Sequence, residues 1–84
     1  MTNKEILKKK IIYRSGHRGT KEMDLLLGNF VKKNIDKFSY IELKDLENLM
    51  KIDDEILEKW YFKKINNELV PNNKVSQMLK EFKL

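Results

Sequence analysis

Apolar residues recur along the chain at spacings of three and four, and nowhere alternate with period two over a useful length. That is the period of amphipathic helices, with no strand signal. A first segment, about residues 2–14, carries Ile6, Leu7, Ile11 and Ile12 with Lys8, Lys9 and Lys10 on the other side. It is predicted to end near "RSGHRG", where Gly16 can take the left-handed backbone that closes a helix. A second segment, about 19–37, lines up Met23, Leu26, Leu27, Phe30, Val31, Asn34, Ile35 and Phe38 on one face. Gly28 falls inside it at a cost of about 1 kcal/mol against alanine, which predicts close packing there. Ser39 and Glu42 form a capping-box pattern that starts a third helix at about 40–51, with Leu43, Leu46, Leu49 and Met50 inward. Asp53 reads as the N-cap of a fourth, with Asp54 and Glu55 favourable in its first turn. That helix buries Ile56, Leu57, Trp60 and one of Tyr61 or Phe62. Three successive aromatics cannot share one face when each position turns by about 100°. The run "NNELVPNN" breaks the pattern at Pro71, and a fifth helix from Asn73 turns Val75, Met78, Leu79 and Phe82 inward. The expectation is an all-α fold: one domain, residues 1–84, forming a compact bundle of about five short helices.

Composition narrows what such a bundle can do. Eighty-four residues bury only a modest core, roughly 60 to 65% of the unfolded surface. With no cysteine and one histidine, neither a disulfide nor an internal metal site can add to it, so apolar packing must suffice. The net charge of +5 directs attention to nucleic acids. However, the lysines are spread over all five segments among 13 acidic residues, and Glu22 and Asp24 open the second helix, where they would repel phosphate. No nucleic-acid partner is therefore expected, and a small basic helical nucleic-acid-binding or antitoxin-like regulatory module is the alternative. "MTNKEILKKKII" lacks the apolar stretch of a signal segment, and no run approaches the ~18 apolar residues of a membrane span. The prediction is an intracellular, cytoplasmic protein with no membrane insertion. No H-E-x-x-H, G-x-S-x-G or P-loop pattern occurs, and His17 beside Ser15 has no orienting acid in sequence. An enzyme is not expected.

One stretch stands apart: "RSGHRGTKE", residues 14–22. Sixteen of the 18 basic residues are lysine, yet both arginines, Arg14 and Arg18, lie here with His17, Gly16 and Gly19. Guanidinium offers a planar fork of donors that ammonium cannot replace. Arg18 and Glu22 are four apart, close enough to pair if the helix begins by residue 18 or 19, and Gly19 shares a face with Glu22. A glycine flanked by a guanidinium and a carboxylate would let another backbone approach between two hydrogen-bonding groups. The same residues fit equally well a helix N-terminus with a glycine turn and an ordinary surface ion pair.

"RGTKEMDLLL" resembles the R-G-x-x-E signature of the SdhE family, the small flavinylation factors of succinate dehydrogenase. Arg18, Gly19, Glu22 and Asp24 match it position by position, followed by Leu25, Leu26 and Leu27. The extended "HRGTKEMDLLLG" is similar to the alphaproteobacterial branch, and "DDEILEKW" resembles the family's later D-x-x-L-x-x-W region. The likeness runs over about residues 11–82. Two departures accompany it: Gly16 stands where relatives carry an aromatic, and "YFKKINNELVPNN" replaces a glycine turn after the tryptophan. The resemblance implies a bacterial assembly factor, a chaperone and not a catalyst, that is monomeric when free. It implies binding to the flavoprotein subunit of succinate dehydrogenase, or of fumarate reductase, and promotion of covalent FAD attachment there. The FAD would belong to the client, leaving no cofactor site on this chain. Arg18, Gly19 and Glu22 would contact the client, with Asp24, His17 and Arg14 at the rim.

Overall fold

The computed structural model describes residues 2–84 and contains five α-helices. They are α1 (Asn3–Ser15), α2 (Lys21–Asn34), α3 (Tyr40–Met50), α4 (Asp54–Phe62) and α5 (Lys74–Glu81). A single 3₁₀ turn, Ile35–Lys37, extends α2. The all-α expectation holds, and the boundaries are those that local chemistry enforces. Thr2, Thr20, Ser39 and Asn73 each accept a backbone N–H three residues on, closing the starts of α1, α2, α3 and α5. The predicted Ser39–Glu42 capping box is present, and Asn73 with Ser76 forms a second one. Asp53 occupies the N-cap of α4, but its side chain makes no capping bond.

Two local expectations are corrected. Gly16 has φ −98°, so α1 ends without a left-handed residue, its N–H donating to the Tyr13 carbonyl as a tight turn. The second helix starts at Lys21, not 19, because the Thr20 hydroxyl caps it at the Met23 N–H.

The helices pack around one core, with α1 against both α2 and α3, and α5 against α3. Ile11, Met23, Leu26, Leu27, Phe30, Leu43, Leu46, Leu57, Val75 and Leu79 form its fully enclosed centre. On α1 only Leu7 and Ile11 of the predicted face are buried, and Ile6 and Ile12 are exposed. Of the aromatic run, Trp60 and Tyr61 turn inward and Phe62 outward. The Tyr61 hydroxyl donates to the Phe82 carbonyl, and Phe82 sits edge-on to Phe30 with ring centroids 5.4 Å apart. The chain beyond α5 is thereby folded back onto the core. Buried Asn34 gives its amide hydrogen to the Phe30 carbonyl, satisfying the polar position on the apolar face. Gly28 lies where α1 meets α2, but a methyl group there would meet only the Ser15 carbonyl at 3.9 Å, an ordinary contact. The predicted close packing at that glycine is therefore absent.

Candidate functional site

The run that stood out in the sequence forms the end of α1, the α1–α2 connection and the first turn of α2. Ser15 is buried and returns its hydroxyl hydrogen to the Ile12 carbonyl at 2.9 Å. His17 places Nδ1 2.7 Å from the Tyr13 carbonyl oxygen. The two rings stack with centroids 4.0 Å apart and planes 18° from parallel. Tyr13 and His17 thus form one exposed aromatic ledge over the end of α1.

Arg18 turns the other way. Its side chain is 9% exposed and every arm of the guanidinium is engaged. Nη1 donates to the Met50 carbonyl at 2.6 Å, Nη2 to the Ile52 carbonyl at 2.9 Å, and Nε to Oδ1 of Asp54 at 2.7 Å. Met50 is the last residue of α3, whose terminal carbonyls lack partners within the helix and carry its negative dipole end. Asp54 is the first residue of α4, where a carboxylate is favoured for the opposite reason. One guanidinium therefore ties together the end of α3 and the start of α4. Lysine has the charge for this but not the planar fork.

The neighbouring backbone is held by two carboxylates. The Arg18 N–H donates to Oδ1 of Asp24 at 2.6 Å, and the Gly19 N–H donates to Oδ2 of Asp54 at 2.6 Å. A β-carbon on residue 19 would lie 3.1 Å from that same Asp54 oxygen, tighter than ordinary packing allows. Glycine at 19 is thus favoured by an approach from within the chain, since a β-carbon would push the Asp54 carboxylate back by a few tenths of an ångström.

The expected Arg18–Glu22 pair does not form. α2 begins at Lys21, so the two residues do not share a helix, and Arg18 is committed to α3 and α4. Glu22 is exposed in the first turn of α2, and its carboxylate has no hydrogen-bond or ion-pair partner among the described residues. Arg14 is exposed in the last turn of α1, where the helix dipole favours a cation. Of the six residues singled out, Arg14, His17, Gly19 and Glu22 face solvent, and Arg18 and Asp24 are partly buried and serve as internal ties. Asp54 and Tyr13 were missed. Asp54 did carry a signal, as the acid six positions before Trp60, but its partner lies 36 residues away.

Among the described residues no group of three or more His, Cys, Asp or Glu side chains could hold a metal ion. No described helix is long and apolar enough to cross a membrane. The exposed face holds an aromatic ledge, a carboxylate without a partner among the described residues, and a backbone tied from beneath.

A family model described as "Flavinator of succinate dehydrogenase" matches residues 9–83. FAD assembly factor SdhE of Acetobacter pasteurianus is 36% identical over 73 residues, which cover 87% of this chain and 64% of that protein. The mitochondrial succinate dehydrogenase assembly factor 2 of Dictyostelium discoideum is 38% identical over 76 residues, 90% of this chain and 52% of its own. That of Scheffersomyces stipitis is 33% identical over 81 residues, 92% of this chain and 54% of its own. The chain thus spans between about half and two thirds of the length of these relatives. No solved structure matches it.

Proposed function

The chain belongs to the family of succinate dehydrogenase flavinators, and from that premise we propose that it is an assembly factor for the flavoprotein subunit of that enzyme. It binds the subunit and promotes covalent attachment of FAD to it. The observation that carries this reading is the family match over residues 9–83, which includes the whole Arg18–Glu22 stretch.

The geometry supports a division of labour within that stretch. Arg18, Asp24 and Asp54 set the loop from inside, and His17, Gly19 and Glu22 present the face that a client meets. Because the loop is anchored by charge-assisted hydrogen bonds, little conformational entropy remains to be lost on docking. Glu22 accepts hydrogen bonds from the client, and the stacked Tyr13 and His17 rings add an aromatic contact. The factor itself carries out no bond-making step. It acts by binding one arrangement of the client more tightly than others, the arrangement in which flavin and acceptor side chain are in attacking geometry. The FAD is the client's, and this chain supplies shape and charge.

The test is co-expression with the flavoprotein subunit, followed by denaturing electrophoresis and in-gel flavin fluorescence. Glu22→Ala is expected to lower covalent flavin severalfold while the factor stays folded. Covalent flavin that is unchanged both by Glu22→Ala and by Gly19→Arg would overturn the reading.

A further inference from the structure

The outward face of α2 continues from Glu22 through Leu25, one turn on, to Lys32 and Lys33 at its far end. There it meets the segment after α5, and the two enclose an open groove of about 710 Å³. Leu25, Phe82 and Leu84 supply its apolar lining; Leu25 is 48% and Leu84 65% exposed. Lys32, Lys33 and Lys83 supply its charge. None of the three is ion-paired among the described residues; the Lys33 ammonium stands 5.9 Å from the centre of the Phe82 ring. No acidic side chain lines the groove.

An apolar groove whose lining side chains carry three cations and no acid is complementary to an acidic partner. Leu25 lies one turn from Glu22 on the same face of α2, so the groove continues the surface proposed to meet the flavoprotein subunit, which favours that subunit over a bilayer. The unbalanced lysines call for carboxylates beside the apolar side chain it receives. We infer that the groove between α2 and residues 82–84 seats an apolar side chain from an acidic segment of the flavoprotein subunit, extending the contact that begins at Glu22. The inference rests on the docking role proposed above.

Titration calorimetry of the full chain into the isolated flavoprotein subunit tests it. Leu25→Glu and the double neutralisation Lys32→Gln/Lys33→Gln are each expected to weaken binding at least about tenfold. The neutralised variant should also lose part of the wild type's affinity decrease between about 0.05 and about 0.5 M salt. All three positions are exposed, so circular dichroism and thermal midpoint should match the wild type. Wild-type affinity in both variants, with binding lost in Glu22→Ala, overturns the groove and leaves the docking role standing. A wild-type chain that does not bind the subunit overturns both. Phosphatidylglycerol vesicles provide the remaining arm: neutralisation that abolishes vesicle binding but leaves subunit affinity intact overturns the inference in favour of a membrane surface.

Discussion

Asp54 grips Arg18 across 36 positions of chain, its Oδ1 2.7 Å from Nε, while its other oxygen takes the Gly19 N–H. Residues that look in sequence like an outward-facing docking set are in part a clamp fastened from within.

Removing the acid should therefore unsettle the fold as well as the loop. Asp54→Asn leaves the largely buried Arg18 guanidinium without its counter-charge, and breaking such a pair by one partner costs about 3 to 5 kcal/mol when both are fully buried. Asp54 is 23% exposed, which places the expected loss lower, at about 2 kcal/mol. The thermal midpoint should fall by roughly 8 to 16 °C for a domain of this size. Arg18→Lys should lose a comparable amount, because one ammonium cannot serve an Asp oxygen and two carbonyls in fixed directions. Urea unfolding within about 0.5 kcal/mol of the wild type for both variants would remove the clamp.

Gly19→Ala puts a methyl carbon 3.1 Å from the Asp54 oxygen. That oxygen belongs to a carboxylate held at both ends, so giving way by a few tenths of an ångström strains the hydrogen bonds to Arg18 and Gly19. The expected cost is about 1 kcal/mol, of the size of one net hydrogen bond. In an Asp54→Ala background the same substitution should cost less than half as much. A double-mutant cycle showing no coupling between the two sites contradicts the stated reason for glycine.

Glu22→Ala separates recognition from folding. The side chain is exposed and unpaired, so stability should stay within about 0.5 kcal/mol of the wild type. Covalent flavin on a co-expressed flavoprotein subunit should still fall severalfold. Asp54→Asn should lower both quantities. The two variants measured side by side distinguish a contact residue from one that positions the contact.

Gly28→Ala is expected to stabilise. The site has room for a methyl group at 3.9 Å from the Ser15 carbonyl, so the helix-propensity gain of about 1 kcal/mol is not offset by a clash. The thermal midpoint should rise by roughly 4 to 8 °C. A fall would mean that α1 and α2 approach more closely than the structure has them.

Glu42 gives the fold a modest acid sensitivity. The Ser39 N–H and the Lys74 ammonium both hold its carboxylate below the usual range. A lowered folded value means stabilisation that is complete above the unfolded value, about 4.3, and is lost as pH falls through the folded one. Glu42→Gln should flatten the stability–pH curve in that acid window and leave its shape near neutrality unchanged. Identical curves for the two proteins would exclude the contribution.

How far the sequence reaches differs from element to element. The helices were legible because their determinants are local: three- and four-residue apolar spacing, Ser39 with Glu42, Asn73 as a cap; the stop expected at Pro71 is not where α4 ends, since that helix closes at Phe62 with Lys64 in the left-handed region. Helix count, class and most of the core follow from interactions within a turn or two. The stretch at 14–22 was legible as unusual, and its likeness to a flavinylation-factor signature was legible too. Which way each of its side chains points was not. Arg18 and Glu22 looked like neighbours by spacing alone, and only the packing of α3 and α4 against the loop turned Arg18 inward and left Glu22 outside. The same holds for Gly19, whose reason lies in Asp54, and for Phe82, drawn onto Phe30 from beyond its helix. Periodicity and capping operate along the chain, so the sequence by itself determined the helices and marked residues 14–22 as unusual. Which of those residues turn inward as a clamp and which stay exposed depends on partners more than 30 residues away, and only the tertiary structure decided it.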